Sequence, residues 1–183
     1  MKLEKYRHPF IFYGVAVLVP RTLWFIGAGI SHSPLEFLML IAPALEEFGW
    51  HTYGTHCVRR RFNLFTSCFI FGIIWGIWHM PLSFIKGYYQ SVLAETGILY
   101  SINFMVSLIP YLIIDNWQYY KVKRNMGLQI GQHLAFGYSM EIFRTHPDSK
   151  LIHTVLLCIF SAVIVLREKK FFFDKRFDEA EIK

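Results

Sequence analysis

The sequence predicts an all-α fold, a polytopic transmembrane bundle of about six helical spans with both termini cytoplasmic. Three observations predict it. Charged residues make up only 17% of the 183 residues, while 54% are hydrophobic and the mean hydropathy is +0.34. Soluble domains carry roughly 25% charge, so the composition points to a membrane protein. Apolar runs recur at about the 20-residue length that crosses a bilayer. The basic residues fall in clusters between those runs. With a cytoplasmic N-terminus and six spans, fifteen of the 19 Lys and Arg residues lie on the cytoplasmic side. Lys86, Arg144 and Lys150 lie opposite and Arg21 sits within a span. That bias is the positive-inside signature. It also argues against reading the +6 charge as a nucleic-acid face.

In order, the first span covers residues 10–30 and is interrupted by Pro20 and Arg21. A basic start followed by an apolar run with no small-residue cleavage site reads as a retained span. The second span covers 35–57 and closes at Arg59-Arg60-Arg61. The third runs over 64–85 with Pro81 near its end, and residues 86–97 form a polar loop. The fourth, 98–114, carries Pro110 as a kink, and 115–124 is a polar link. The fifth, 126–143, is short and contains Gln129, Gln132 and His133. The sixth covers 151–166, and a basic, aromatic tail over 167–183 lies on the inner leaflet or in solvent. The whole chain reads as one transmembrane domain. Cys57, Cys68 and Cys158 are odd in number and widely spaced, which indicates neither a disulfide framework nor a cysteine zinc site.

Ionisable groups inside apolar spans are expensive and mark function by default. Glu46 and Glu47 interrupt the second span, His79 the third and His133 the fifth. Glu46 lies about 15 residues before the Arg61-Phe62 turn and His79 about 17 after it. At 1.5 Å per residue both sit roughly 23–27 Å from the turn, at similar depth in an antiparallel pair. Glu46 and Glu47 point about 100° apart, so they cannot fill one site together. Glu47 and His51 share a face at i, i+4, as do Gln129, His133 and Gly137. Gly49, Gly72, Gly76, Gly131 and Gly137 are small residues that let membrane helices approach. Each histidine alone could be a structural, hydrogen-bonded residue, and Glu46-Glu47 could pair with Arg21. The joint occurrence favours a site.

Glu46-Glu47-Phe48-Gly49-Trp50-His51 and Trp75-Gly76-Ile77-Trp78-His79-Met80-Pro81-Leu82 resemble the CPBP family of intramembrane proteases. This is also called the CAAX-protease and bacteriocin-processing (Abi) family, with motifs EExxxR, FxxxH and HxxxN or HxxxD. His133-Leu134-Ala135-Phe136-Gly137 stands at the third motif, and the family-like core spans about 35–140. His51 replaces the motif arginine, Trp75 the phenylalanine and Gly137 the Asx residue. The resemblance implies that Glu46 is the general base, His79 orients the water and His133 stabilises the oxyanion. It implies that Glu47 holds its helix through residue 51. Gln129 is the amide that could stand in for the missing Asx.

A zinc ion held by Glu46, His79 and His133 is the rival mechanism. The expected setting is the cell membrane, with lipid and a peptide or protein substrate as partners. Two other functions remain open. One is a catalytically weakened relative acting in bacteriocin self-immunity or as an interaction protein, suggested by His51 and Gly137. The other is a small proton or metal transporter using Glu46, His79 and His133 as a relay.

Overall fold

The computed structural model describes residues 36–137 and 146–175. Within them the chain is helical nearly throughout. Helix α1 is Glu36–Gly49; it continues as a π-helical turn, Trp50–Thr55, and a short α2, His56–Arg59. Helix α3 is Leu64–His79, extended by a 3₁₀ segment, Met80–Phe84. Then come α4, Tyr89–Thr96; α5, Ile98–Lys121; α6, Met126–Gly137; α7, Pro147–Arg167; and α8, Lys169–Phe173.

Among the described residues, three helical segments are long and apolar enough to cross a membrane. They are Leu64–Phe84, Ile98–Lys121 and Pro147–Arg167. They match the expected third, fourth and sixth spans. The first span, with Arg21, and residues 138–143 of the fifth lie outside the described residues.

Local chemistry accounts for the boundaries. Asn63 caps α3 by accepting from the Thr66 backbone N–H at 2.8 Å. Pro81 opens the 3₁₀ segment, where its missing N–H costs nothing. Gly97 ends α4 at φ +155°, a backbone conformation that side chains rarely adopt. Pro147 occupies the first turn of α7, and Asp148 accepts from the Tyr100 hydroxyl at 2.8 Å.

The structure corrects the sequence reading at several places. Residues 86–97 are not wholly a loop, because α4 forms over Tyr89–Thr96 and buries Gln90, Ser91 and Leu93. Residues 115–121 are not a link: α5 runs on to Lys121, with Asp115, Asn116, Tyr119 and Tyr120 buried. Their polarity reflects internal partners rather than water. The start of the tail is not wholly free of the bundle, although Lys169, Lys170 and Phe173 are exposed. Phe171 and Phe172 of α8 are buried, and Phe173 packs on Phe65 with centroids 5.1 Å apart.

Helices α3 and α5 form the central seam. A Cβ on Gly72 would sit 2.9 Å from Ile109 Cγ1 and 3.2 Å from its Cα; one on Gly76 would be 3.4 Å from Met105. These glycines bring the two backbones together, as small residues do between membrane helices. Among the described residues, nothing lies within 4 Å of a Cβ added at Gly131 or Gly137, so packing within them does not require these glycines. Trp50, Phe71, Trp75, Trp78 and Tyr111 fill the core beside the seam. The outward faces of α3 and α7 carry exposed Phe69, Ile73, Ile77, Ile152, Leu156 and Phe160. Apolar exposure on that scale fits contact with lipid.

Candidate functional site

A chain of carboxylates, imidazoles and an amide crosses the interior from α1 through α5 to α6. Glu47, 1% exposed, meets His51 Nδ1 one turn along through Oε2 and His133 Nδ1 of α6 through Oε1 at 2.6 Å. The other nitrogen of His51, Nε2, meets Asp115 Oδ2 of α5 at 2.7 Å. The amide nitrogen of Gln129 in α6 donates to Asp115 Oδ1 and to the Asp115 carbonyl at 3.2 Å. Glu47, His51, Asp115 and Gln129 are all almost fully buried. Buried charge is tolerated where it is paired and hydrogen-bonded, and here each charged group has its opposite.

The π-helical turn lies where this chain begins. It places an extra residue per turn just after Gly49, with His51 inside it. Such turns are rare and occur frequently at functional sites. Gly54, in the same turn, lets Phe71 approach: a Cβ there would meet the ring at 3.0 Å. Trp50 stacks edge-on against Phe71 and Trp78 at 5.1 and 5.9 Å, which fixes the turn against α3.

The expected site residues are placed as follows. Glu46 is 5% exposed and within electrostatic reach of His133. His79 is 9% exposed and its Nδ1 lies 2.8 Å from the Trp75 carbonyl. A carbonyl can only accept, so Nδ1 carries a proton, and in the neutral ring Nε2 is the acceptor nitrogen. The Trp75 indole lies beside both imidazoles, 5.4 Å from His79 and 5.5 Å from His133. The i, i+4 contact expected between Glu47 and His51 is present.

Gln129 does not serve as expected. Both of its amide protons are directed at Asp115, which leaves none for an oxyanion. Asp115 is the group that sequence reasoning missed. A lone aspartate at the start of an apparently polar stretch carries no signal of a partner 64 positions earlier.

The rival mechanism places a zinc ion on Glu46, His79 and His133. Among the described residues, the group compact enough to share an ion is Glu47, His51 and Asp115, with ligand atoms within 4.8 Å of one another; Glu46, His79 and His133 do not form such a group. In the compact trio both imidazole nitrogens already face carboxylates. Charge pairing with a protonated His51 accounts for the closeness of these residues, and such a ring has no lone pair to give a metal.

A family model described as type II CAAX prenyl endopeptidase Rce1-like matches residues 29–172. The chain is similar to CAAX prenyl protease 2 of Methanococcus maripaludis, 36% identical over 142 residues. The match covers 78% of this chain and 52% of that protein. The chain thus spans about half the length of the curated relative it matches.

Proposed function

Because the chain belongs to the family of Rce1-like type II CAAX prenyl endopeptidases, we propose that it is a membrane peptidase. Its substrate class is a prenylated CAAX peptide, cut at or within the bilayer by a water that Glu46 and His79 activate. The observation that carries this reading is the contrast between two imidazoles beside one indole. His79 is tied through Nδ1 to a carbonyl, which makes Nε2 the acceptor in the neutral ring; His133 is tied to a carboxylate at 2.6 Å. An imidazole on a carboxylate can hold a proton on each nitrogen, so its Nε2–H can donate to a developing oxyanion. One ring suits the attacking water and the other suits the tetrahedral intermediate.

Glu46 takes a proton from water as the oxygen attacks the scissile carbonyl, and His79 Nε2 orients that water. The oxyanion forms against His133 Nε2–H. On collapse the C–N bond breaks, and the proton held by Glu46 passes to the leaving amine. Glu47, His51 and Asp115 touch no reacting atom; they fix the His133 ring. The full chain reconstituted in nanodiscs should cleave a prenylated CAAX peptide, followed by mass spectrometry. Glu46→Ala should lower the rate about a hundred- to ten-thousand-fold. A Glu46→Ala protein that cleaves at the parent rate would sink the reading.

One observation favours a second reading, a weakened relative acting through binding. Gly137 supplies no amide, and the protons of Gln129 are engaged at Asp115. If the parent chain cleaves nothing and Gly137→Asn does not restore cleavage, the binding role takes precedence.

A further inference from the structure

The contact between Gln129 and Asp115 sets the register of α6 on α5. The two helices run in opposite directions. Phe136, further along α6, meets Tyr111, further back on α5, with ring centroids 4.3 Å apart. One turn back from Asp115 is Tyr111, and one turn on from Gln129 is His133. Tyr111 therefore stands at the depth of His133. Trp75 joins the same two residues from α3: its ring centroid lies 6.0 Å from Tyr111 and 5.5 Å from His133. Tyr111 is also within electrostatic reach of Glu46, Glu47 and Asp115.

Tyr111 is 2% exposed, and its hydroxyl is buried with no hydrogen-bond partner among the described residues. A buried tyrosine usually finds a partner for its O–H, and an unfilled donor has lost its water for nothing in return. Phenylalanine would fill the same space without that cost. In native structures such an orphan has a reason, catalysis among them.

The proposed reaction has a place for it. Gly137 supplies no amide and the protons of Gln129 are engaged at Asp115, which leaves His133 Nε2–H to hold the oxyanion alone. The surroundings suit a neutral donor. Glu47 and Asp115 already face imidazoles, and Glu46 becomes neutral as it takes a proton from water. Negative charge passes from Glu46 to the carbonyl oxygen, where a phenol O–H meets it without adding a charge.

We propose that the Tyr111 hydroxyl is a second oxyanion donor, acting with His133 in place of the amide that Gly137 lacks; the inference rests on the peptidase reading. As the water oxygen bonds to the scissile carbon and its proton goes to Glu46, the carbonyl π pair moves onto oxygen. There it accepts from His133 Nε2–H and Tyr111 O–H. On collapse that pair re-forms the carbonyl, the C–N bond breaks, and the amine takes the proton from Glu46. Tyr111 keeps its own proton throughout. The Trp75 indole N–H, also buried without a partner among the described residues, is the competing donor.

The test compares the parent chain, Tyr111→Phe and Trp75→Phe in nanodiscs. It reads cleavage of a prenylated CAAX peptide, and binding of its phosphinate analogue, whose tetrahedral anion stands in for the intermediate. Tyr111→Phe should lower kcat about a hundred- to thousand-fold with KM unchanged. Its melting temperature should hold or rise, because an unfilled O–H is removed; a hydroxyl with a purely structural role would lower it. Gly137→Asn added to Tyr111→Phe should recover about tenfold or more of the rate. The phosphinate should bind Tyr111→Phe about a hundred-fold more weakly than the parent. Tyr111→Phe cleaving at the parent rate, while Glu46→Ala does not, would overturn the role of Tyr111 and leave the peptidase reading standing. A parent chain that cleaves nothing sinks that reading instead. Weaker phosphinate binding by Tyr111→Phe would then still support an oxyanion site at the hydroxyl, and equal binding would overturn it. A loss confined to Trp75→Phe would assign the donor to the indole and overturn the hydroxyl.

Discussion

Between α3 and α5 the helices touch through glycine; between α1, α5 and α6 they touch through carboxylate, imidazole and amide. At the first contact Gly72 brings the Ile109 backbone within van der Waals distance, and across it lies a weak polar contact from the Cys68 thiol to the Leu112 carbonyl at 3.6 Å. At the second, Glu47, His51, Asp115, His133 and Gln129 supply the attachment, while Gly131 and Gly137 stand beside open space. In lipid, apolar surfaces gain little from meeting each other, so close packing and interhelical hydrogen bonds carry association. The molecule uses the two means in two places. The seam is rigid by shape. Helix α6 is held by directional bonds.

The largest expected effect breaks the polar contact. Glu47→Ala leaves His51 and His133 without their shared carboxylate, and Asp115→Ala leaves His51 and Gln129 without theirs. Removing one partner of a buried pair costs about 3–5 kcal/mol. Either variant should unfold far earlier in a denaturant titration in detergent micelles. A loss under 1 kcal/mol in both would mean that the contact adds little to the attachment of α6.

The seam should answer next. Gly72→Ala forces a methyl against the Ile109 side chain and backbone and should cost about 1–3 kcal/mol. Gly131→Ala, with nothing near, should gain about 0.5–1 kcal/mol from helix propensity. The two alanines should therefore shift melting in opposite directions. A shift of the same sign would erase the contrast between seam and open side.

His51→Arg should sharpen the comparison. Arginine is a permanent cation with a fork that can reach Glu47 and Asp115 together. A gain of about 1 kcal/mol is expected, read as a raised melting temperature. Equal or lower stability would show that the imidazole fits this position better than a fork does. The smallest effect belongs to Gly137→Asn, whose side chain enters open space. Stability should stay within about 0.5 kcal/mol, while cleavage rises if an amide is what the site lacks.

The sequence showed the spans at 64–85, 98–114 and 151–166 because length and hydropathy alone define them. It showed the Glu47–His51 contact because helical spacing dictates i, i+4 neighbours. It could not show that Asp115 closes the chain of pairs. His51 reaches Asp115 only through the packing of α1 on α5, and no local pattern encodes that partnership. The polar residues 115–121 looked like a link because composition cannot separate side chains facing water from side chains facing each other. The π-helical turn was equally hidden, since Trp50-His51-Thr52-Tyr53-Gly54 has no marker for an added residue. The tight glycines and the open ones look identical in sequence, and only the structure separates Gly72 from Gly131.

Asp115 also constrains how the protein is made. A carboxylate near the end of a span costs up to about 2.5–3.5 kcal/mol to insert, most at the bilayer centre. Its partner, His51, emerges from the ribosome 64 residues earlier. Residues 98–114 are apolar enough to carry α5 into the bilayer, and Asp115 meets His51 only after both helices are in place. Gln129 arrives last and completes the carboxylate's bonding. Synthesis therefore presents the groups in a fixed order: His51 first, Asp115 second and Gln129 last.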